Sequence, residues 1–374
     1  MSDGQRLRNS VPVGGALASG SDYVGRKEGS QVTSSMHREI REQPEVLGRI
    51  VEEEWETVHS AARALRDRGF RLAVLVARGT SDNAAYYAKY LFEVLLGVPT
   101  VLASPSTFTL YGAQLDLRDS LVIGVSQSGE SKDVLESMRQ SRELGAVTLS
   151  ITNEPNSSLA GAVEHHFLLR AGEEESVAAT KTYTAELLLL YLLVIALGGA
   201  REPGRPAVQI PDQVHQVLET NWGGTARYRY AEHMVVVSRG YNLATAKEAA
   251  LKLMETSYVV AEAFSGADLR HGPVAMIGRD FPVLAIVPPG KARSDMESLF
   301  EGLAQRGAEL LMIGEGENLA SRAAASFLVP DSCREELSPI LYALPAQMLA
   351  HDLAVLKGLN PDSPRGLSKV TETW

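Results

Sequence analysis

Residues 121–131 read LVIGVSQSGES. The first five, apolar and rich in β-branched side chains, are bounded by turn formers and predict a buried strand. Six small or polar residues follow, Ser126 through Ser131, and residues 132–144 then place Val134, Leu135 and Met138 at helical spacing. A strand that runs through a small, hydroxyl-rich turn into a helix aims unpaired backbone N–H groups and the positive end of the helix dipole outward. Such a turn suits an anion, and Ser126, Ser128 and Ser131 can add hydroxyl donors around a phosphate. A plainer reading fits the same residues: one serine caps the helix and the others fill a tight turn.

The chain of 374 residues has room for two domains of ordinary size. Its 45% hydrophobic and 22% charged residues are those of a soluble globular protein. A net charge of −10 with no long basic run argues against a nucleic-acid surface. A phosphorylated small molecule stays open, because local geometry binds phosphate without excess positive charge. Cys333 is the only cysteine, which leaves no disulfide framework and no cysteine zinc cluster and fits a reducing, cytoplasmic compartment. Residues 1–35 are rich in Gly and Ser, lack a continuous apolar segment, and predict a flexible start without a signal peptide. The longest apolar run, LLLLYLLVIAL at residues 187–197, is too short for a bilayer, which needs about 20 residues. It predicts a helix covered on most sides, by the core or, in preference, by a second subunit, and no membrane contact.

Upstream, residues 36–69 space Val46, Ile50, Trp55, Val58 and Leu65 for helix packing, with Pro44 at a start or kink and Gly69 at an end. Strands are predicted at 70–77, 121–125, 147–152 and 166–169, with a helix at 82–96 after the turn Arg78-Gly79-Thr80-Ser81. Strands alternating with helices predict an α/β fold, a parallel sheet covered on both faces. Beyond a proline-rich linker at 201–224 the pattern restarts. FRLAVLVARG from Phe70 is echoed by AEHMVVVSRG from Ala231, LVIGVSQSGESKDV from Leu121 by VLAIVPPGKARSDM from Val283, and ELGAVTLSI from Glu143 by QRGAELLMI from Gln305. The offset stays near 162 residues throughout, the mark of a domain duplication. The expected order is a flexible segment (1–35), a helical segment (36–69), a first domain (70–200), the linker (201–224), a second domain (225–355) and a C-terminal tail (356–374).

The copies differ at the hydroxyl loop, where Ser126-Gln127-Ser128-Gly129 becomes Pro288-Pro289-Gly290-Lys291. Either sequence satisfies a turn, so donors kept in one copy point to the first domain as the phosphate holder. Ligands of open parallel sheets sit beyond the carboxyl ends of strands, where both turns lie.

Together with the turn at Arg78, the hydroxyl loop and the duplication, the motifs VAATKTY at Val177, EAALKLMETSYVVAEAF at Glu248, LRHGPVAMI at Leu269 and PRGLSKV at Pro364 make the chain resemble the double sugar isomerase (SIS) domain family. Within it the chain is most similar to the isomerase half of glucosamine-6-phosphate synthase and to the SIS-type glucosamine-6-phosphate deaminase. The resemblance runs from about Gln43 to Lys369 and implies two tandem doubly wound SIS domains. It implies a phosphate and sugar site formed by Thr80, Ser81, Ser126, Gln127, Ser128 and Ser131, with Val177, Ala178, Thr180 and Lys252 in the same pocket. Ala179 departs from the synthase, which has serine there, so one sugar hydroxyl loses a donor; the residues after Lys369 differ as well.

Glu255 matches the carboxylate that moves a proton between C1 and C2, a step that aldose–ketose interconversion requires of some base. Glu248, Lys252 and Glu255 share a helix face, which fits a catalytic set and also a solvated Glu–Lys pair. His271 resembles the ring-opening histidine, whose imidazole exchanges protons near neutral pH and which the family donates across a homodimer. Lys369 matches a lysine that forms a Schiff base with the open-chain ketose. The resemblance implies a phosphorylated hexose or hexosamine as partner, no cofactor and no metal. Three activities are compatible: conversion of glucosamine 6-phosphate to fructose 6-phosphate and ammonia, expected first; the isomerase and amino-transferring part of a synthase, with ammonia free or from a separate chain; and a non-catalytic sugar-phosphate regulator. The sequence starts Met1-Ser2 and lacks the N-terminal cysteine that a glutaminase nucleophile requires, which sets the order of the first two.

Overall fold

The computed structural model describes residues 34–330 and 333–369. Ser34 caps the helix Ser35–Arg41, its hydroxyl accepting from the amide of His37. The helices Gln43–Glu53 and Trp55–Arg68 follow, with Pro44 in the first turn of one and Gly69, at φ 75°, ending the other. The expected flexible segment 1–35 lies outside the described residues except for Ser34 and Ser35.

Five strands come next: β1 (Leu72–Val76), β2 (Thr100–Leu102), β3 (Ser120–Val125), β4 (Val147–Thr152) and β5 (His165–Leu168). They form a parallel sheet in the order β2-β1-β3-β4-β5. Every residue of β3 and β4 is buried, which is why these strands read as apolar runs rather than alternating ones. A second parallel sheet holds β6 (His233–Ser238), β7 (Val260–Ser265), β8 (Pro282–Val287), β9 (Glu309–Gly314) and β10 (Ala325–Leu328) in the order β10-β9-β8-β6-β7. Traced from its other edge, that is the path of the first sheet again. β1, β3 and β4 begin at residues 72, 120 and 147, and their counterparts at 233, 282 and 309. The duplication is therefore a duplication of topology, with helices flanking each sheet.

Three expectations need correction. β2 is absent from the sequence reading; it is a three-residue edge strand paired only with β1. The stretch 201–224 is not a bare linker: it contains the helix Gly204–Leu218, which buries Ala207, Ile210, Val214 and Val217 along one face and carries Pro211 inside. The apolar run at 187–197 belongs to the helix Lys181–Leu197, whose residues are all buried within this chain except Ile195. Its cover comes from the helices Gln43–Glu53, Trp55–Arg68, Gly79–Leu91 and Ser338–Leu356 rather than from a second subunit. One stretch among the described residues, Glu335–Leu356, is long and apolar enough to cross a bilayer, but 72% of its most apolar window is buried inside the fold.

In the first sheet the chain passes from β1 outward to β2 and then returns to the other side of β1 as β3. Strand order reverses there, and the carboxyl ends of β1 and β3 open a crevice between the two departing turns. The turn after β1 runs through Arg78, extended at φ −141°, into Gly79 at φ 56°. Its copy after β6 has Arg239 at φ −150° and Gly240 at φ 65°. The hydroxyl loop after β3 turns at Gly129, φ 65°, where an added Cβ would lie 2.4 Å from Ser157 Oγ. Gly129→Ala should therefore cost about 1–3 kcal/mol, from left-handed strain plus the clash. Gly223→Ala, with open space at its Cβ, should stay within about 0.5 kcal/mol. Urea denaturation of the two variants checks the difference.

Candidate active site

A cleft of about 350 Å³ opens at the crevice between β1 and β3. One wall is the turn Arg78-Gly79-Thr80-Ser81, and another is the loop Ser126, Gln127, Ser128 and Ser131. Val177, Ala179, Thr182 and Glu186 line it from the start of the helix Lys181–Leu197, Lys252 and Glu255 from the helix Leu243–Ser257, and Leu367, Ser368 and Lys369 from the tail.

The hydroxyl loop is already tied in place. Ser126 Oγ accepts from the amide of Gly129 at 3.2 Å, and Ser128 Oγ from that of Glu130 at 3.3 Å. Acceptance uses lone pairs, so both hydroxyl hydrogens stay available to an anion. Ser131 donates to Asp133 Oδ1 at 2.8 Å, and buried Asp133 also takes Arg78 Nε at 2.6 Å on its other oxygen. The half-exposed Arg78 guanidinium is thereby fixed at the rim. In the second half Arg239 pairs with Asp295 in the same way. The loop there is closed, because the amides of Lys291 and Ala292 donate to the Glu335 carboxylate at 2.8 and 3.3 Å. The turn that is open in the first half is filled in the second by the chain's own carboxylate.

Opposite the loop, Lys252 is fully buried between two acids, 2.5 Å from Glu255 Oε2 and 3.4 Å from Glu248 Oε1. Burial acts against its charge, but the two carboxylates outweigh burial and raise its pKa. Glu255 keeps 23% of its side chain exposed, toward the cleft. Glu248 does not reach the cleft. It is buried, and accepts from Thr80 Oγ1 at 3.1 Å and Asn83 Nδ2 at 2.8 Å, so it fastens the second half's helix to the first half's turn. The solvated Glu–Lys pair is thus excluded.

The tail follows a fixed path. Asp362 accepts from the amides of Ser35 and Met36 at 2.9 and 2.8 Å, and its carbonyl takes the amide of Val177. The amide of Arg365 donates to Tyr258 Oη, with the guanidinium 4.4 Å from that ring's centroid. Lys369 Nζ then donates to Glu174 Oε2 at 2.9 Å and Ser176 O at 2.6 Å.

Of the residues named from sequence, the cleft gathers Thr80, Ser81, Ser126, Gln127, Ser128, Ser131, Val177, Lys252, Glu255 and Lys369. Ala178 and Thr180 are buried beside it without lining it, and Thr180 is the N-cap of the helix Lys181–Leu197. His271 is exposed in the turn after Gly266–Arg270 and lies outside its own chain's cleft. The sequence reading did not name Arg78, Thr182, Glu174 or Glu186 as site residues. Glu186 carried a signal: it is the one acid inside a strongly apolar helix.

The sequence profile of the SIS domain matches residues 70–196 and again residues 228–357. A glutamine–fructose-6-phosphate aminotransferase (isomerizing) of Methanothermobacter thermautotrophicus is 35% identical over 339 residues, 89% of this chain and 56% of that protein. The chain spans little more than half the length of the curated relatives it matches. Among solved structures, a proposed phosphosugar isomerase from Silicibacter pomeroyi superposes with a TM-score of 0.81 at 29% identity, covering 88% of this chain and 100% of that one. The C-terminal domain of a glucosamine-fructose-6-phosphate aminotransferase from Francisella tularensis gives 0.77 at 26%, covering 89% and 99%.

Three buried acids near the cleft differ in their surroundings. Glu174 is buried, yet Lys369 and the hydrogen bonds from Thr180 and Thr182 outweigh burial and hold its pKa below the ordinary value. Glu39 takes the amides of Glu175 and Ser176 on one oxygen; burial and the nearby Glu174 push it up to about 7. Glu186 has one hydrogen bond, with Ser81, and burial pushes it up to about 8 despite that bond. For a carboxyl whose folded pKa exceeds its unfolded value near 4.5, the folded state holds more protons between the two values, so stability falls as pH rises through that window. Melting temperatures from pH 5 to 9 should therefore fall more steeply for the natural chain than for a Glu39→Gln, Glu186→Gln double variant; parallel curves would show that neither acid is held protonated.

Proposed function

The chain belongs to the SIS domain family, and from that premise we propose that it is an amino-sugar-phosphate aldose–ketose isomerase. The reaction proposed is conversion of glucosamine 6-phosphate and water to fructose 6-phosphate and ammonia. One observation carries this reading: a loop of donors suited to a phosphate and a carboxylate beside a buried lysine face each other across one cleft.

The phosphate sits at the start of the helix Lys132–Glu143, on Ser126, Gln127, Ser128 and Ser131, where the dipole and hydroxyls favour negative charge. That places the sugar's other end beside Glu255. With the ring open, Glu255 removes the proton on C2 of the aldehyde form and returns it to C1, while a proton passes from the amine to the aldehyde oxygen, leaving a hydroxyl on C1 and an imine at C2. Lys252 holds the carboxylate in position and balances its charge. Water releases ammonia from the imine. Lys369, as its neutral amine, can instead attack C2 and displace ammonia as its own imine, which water then hydrolyses to fructose 6-phosphate and the free lysine; Glu174 holds its ammonium form in place. His271 serves ring opening only if a second copy brings it to the cleft, so a homodimer belongs to this reading.

The names of the 35% identical relatives and of the Francisella structure support a second reading, the isomerising and amino-accepting half of a glutamine–fructose-6-phosphate aminotransferase. Both readings share the chemistry at C1 and C2 and differ in direction. Incubation with glucosamine 6-phosphate should release ammonia and fructose 6-phosphate. Amino-sugar formation from fructose 6-phosphate and free ammonia, or from glutamine once a separate glutaminase chain is added, without ammonia release from glucosamine 6-phosphate would favour the second reading, and no turnover in either direction would dismiss both.

Glu255→Gln should lower kcat by roughly 10²–10⁴-fold with little change in KM, since general base catalysis contributes on that scale. Ser128→Ala should do the reverse, raising KM by roughly ten- to hundredfold, the value of a hydrogen bond to a charged group. Steady-state kinetics with glucosamine 6-phosphate separates the two.

A further inference from the structure

Among the described residues, Glu186 is the acid lining the cleft that pairs with no cation. Lys252 is held by Glu248 and Glu255, Lys369 by Glu174, and Arg78 by Asp133. Glu186 is 1% exposed. Its Oε1 lies 2.7 Å from Ser81 Oγ, and its Oε2, equally buried, has no hydrogen-bond partner among the described residues. A bare carboxylate in that setting carries the full cost of desolvation, whereas a neutral carboxyl leaves only a carbonyl-type oxygen unsatisfied. The charged groups around it point the same way. Glu248 and Glu174 both disfavour a further negative charge; Glu174 takes Lys369, and Glu248 shares Lys252 with Glu255. Tyr183 on its own helix also lies within reach of its field. Gln43 and Gln347, turned toward this helix from the helices Gln43–Glu53 and Ser338–Leu356, are uncharged, and Arg66 reaches only its far end, at the carbonyl of Ala196.

The state of Glu186 decides what Ser81 can offer. If Glu186 is ionised, Ser81 gives its only hydroxyl hydrogen to the carboxylate and presents a lone pair to the cleft. If Glu186 is protonated on Oε1, it donates to Ser81 Oγ, and the Ser81 hydrogen is released toward the cleft. Building on the sugar-phosphate reading above, we propose that Glu186 is a positioning residue that works as a neutral acid: it donates to Ser81 so that Ser81 offers its own hydrogen to the anionic ligand in the cleft. Ionisation removes that donor and adds a negative charge next to an anion. The carboxyl thus makes anion binding depend on pH, although Glu186 itself need not touch the ligand. Its pKa near 8 sets the range in which this is visible.

The test is calorimetric binding of fructose 6-phosphate, which has no amine to titrate, from pH 6.5 to 9.5. For the natural chain, affinity should be about tenfold weaker at pH 9 than at pH 7, the linkage expected when only the protonated form binds. Glu186→Gln, whose amide donates to Ser81 at every pH, should flatten that fall. Ser81→Ala gives a second measure: with no hydroxyl for Glu186 to turn, affinity should already be weaker at pH 7 and the fall toward pH 9 should be shallower than in the natural chain. A natural chain with flat affinity, or the same fall in Glu186→Gln, or an undiminished one in Ser81→Ala, overturns the proposal and leaves the sugar-phosphate reading intact. Failure of fructose 6-phosphate to bind at any pH overturns that reading, and the proposal with it.

Discussion

A buried ammonium group must be matched by buried negative charge, and in this chain the match for Lys252 organises the cleft. Lys252 sits between Glu248 and Glu255 on one helix of the second half. Glu248 spends its remaining hydrogen-bonding capacity on Thr80 and Asn83 of the first half. Glu255 faces the cleft. One ion cluster therefore does two things: it locks the second half's helix against the first half's turn, and it fixes the carboxylate available for chemistry. Taking away one member of such a cluster leaves an unpaired buried charge and costs about 3–5 kcal/mol. Lys252 is consequently as much a structural residue as a functional one.

The same logic explains why twin halves are not twin sites. Both keep the arginine–glycine turn, and both pair that arginine with an aspartate at the next helix start, Arg78 with Asp133 and Arg239 with Asp295. A helix start with unpaired amides attracts negative charge. The second half supplies its own in Glu335, whose oxygens take the amides of Lys291 and Ala292. The first half leaves the Ser126 and Ser128 hydroxyl hydrogens facing the open cleft. Duplication gave two anion-attracting turns; an internal carboxylate occupies one.

Much of this was legible in the sequence. Buried parallel strands are apolar throughout, and a repeat at constant offset survives divergence of individual residues, so the tandem α/β fold could be read directly. The hydroxyl loop stood out as a run of small donors between an apolar strand and a helix, while Glu255 and Lys252 were picked out by the resemblance to the SIS domain family and by their shared helix face. What escaped depends on tertiary context. β2 is three residues long and held from one side only. The helix Gly204–Leu218 keeps apolar spacing, but prolines at 206 and 211 hid it. The apolar run at 187–197 indicated a buried helix without saying what buries it, and the answer lies in helices distant in sequence. Glu248 was expected in the catalytic set, with a solvated pair as the alternative, and helical spacing cannot tell either from the buried tie to Thr80 and Asn83 that the structure has. The role of Glu186 is set by what is missing around it, a cation, and that is visible only in three dimensions.

The central claim is spatial: the first half binds the anionic end of a sugar, and the second half brings acid–base groups to the other end. A crystal structure with glucosamine 6-phosphate bound tests it most directly. The expected map has the phosphorus within hydrogen-bonding reach of Ser126, Ser128 and Ser131, and C1 and C2 beside the Glu255 carboxylate. A phosphate held by residues 288–291, or a sugar whose first two carbons lie away from Glu255, would contradict it.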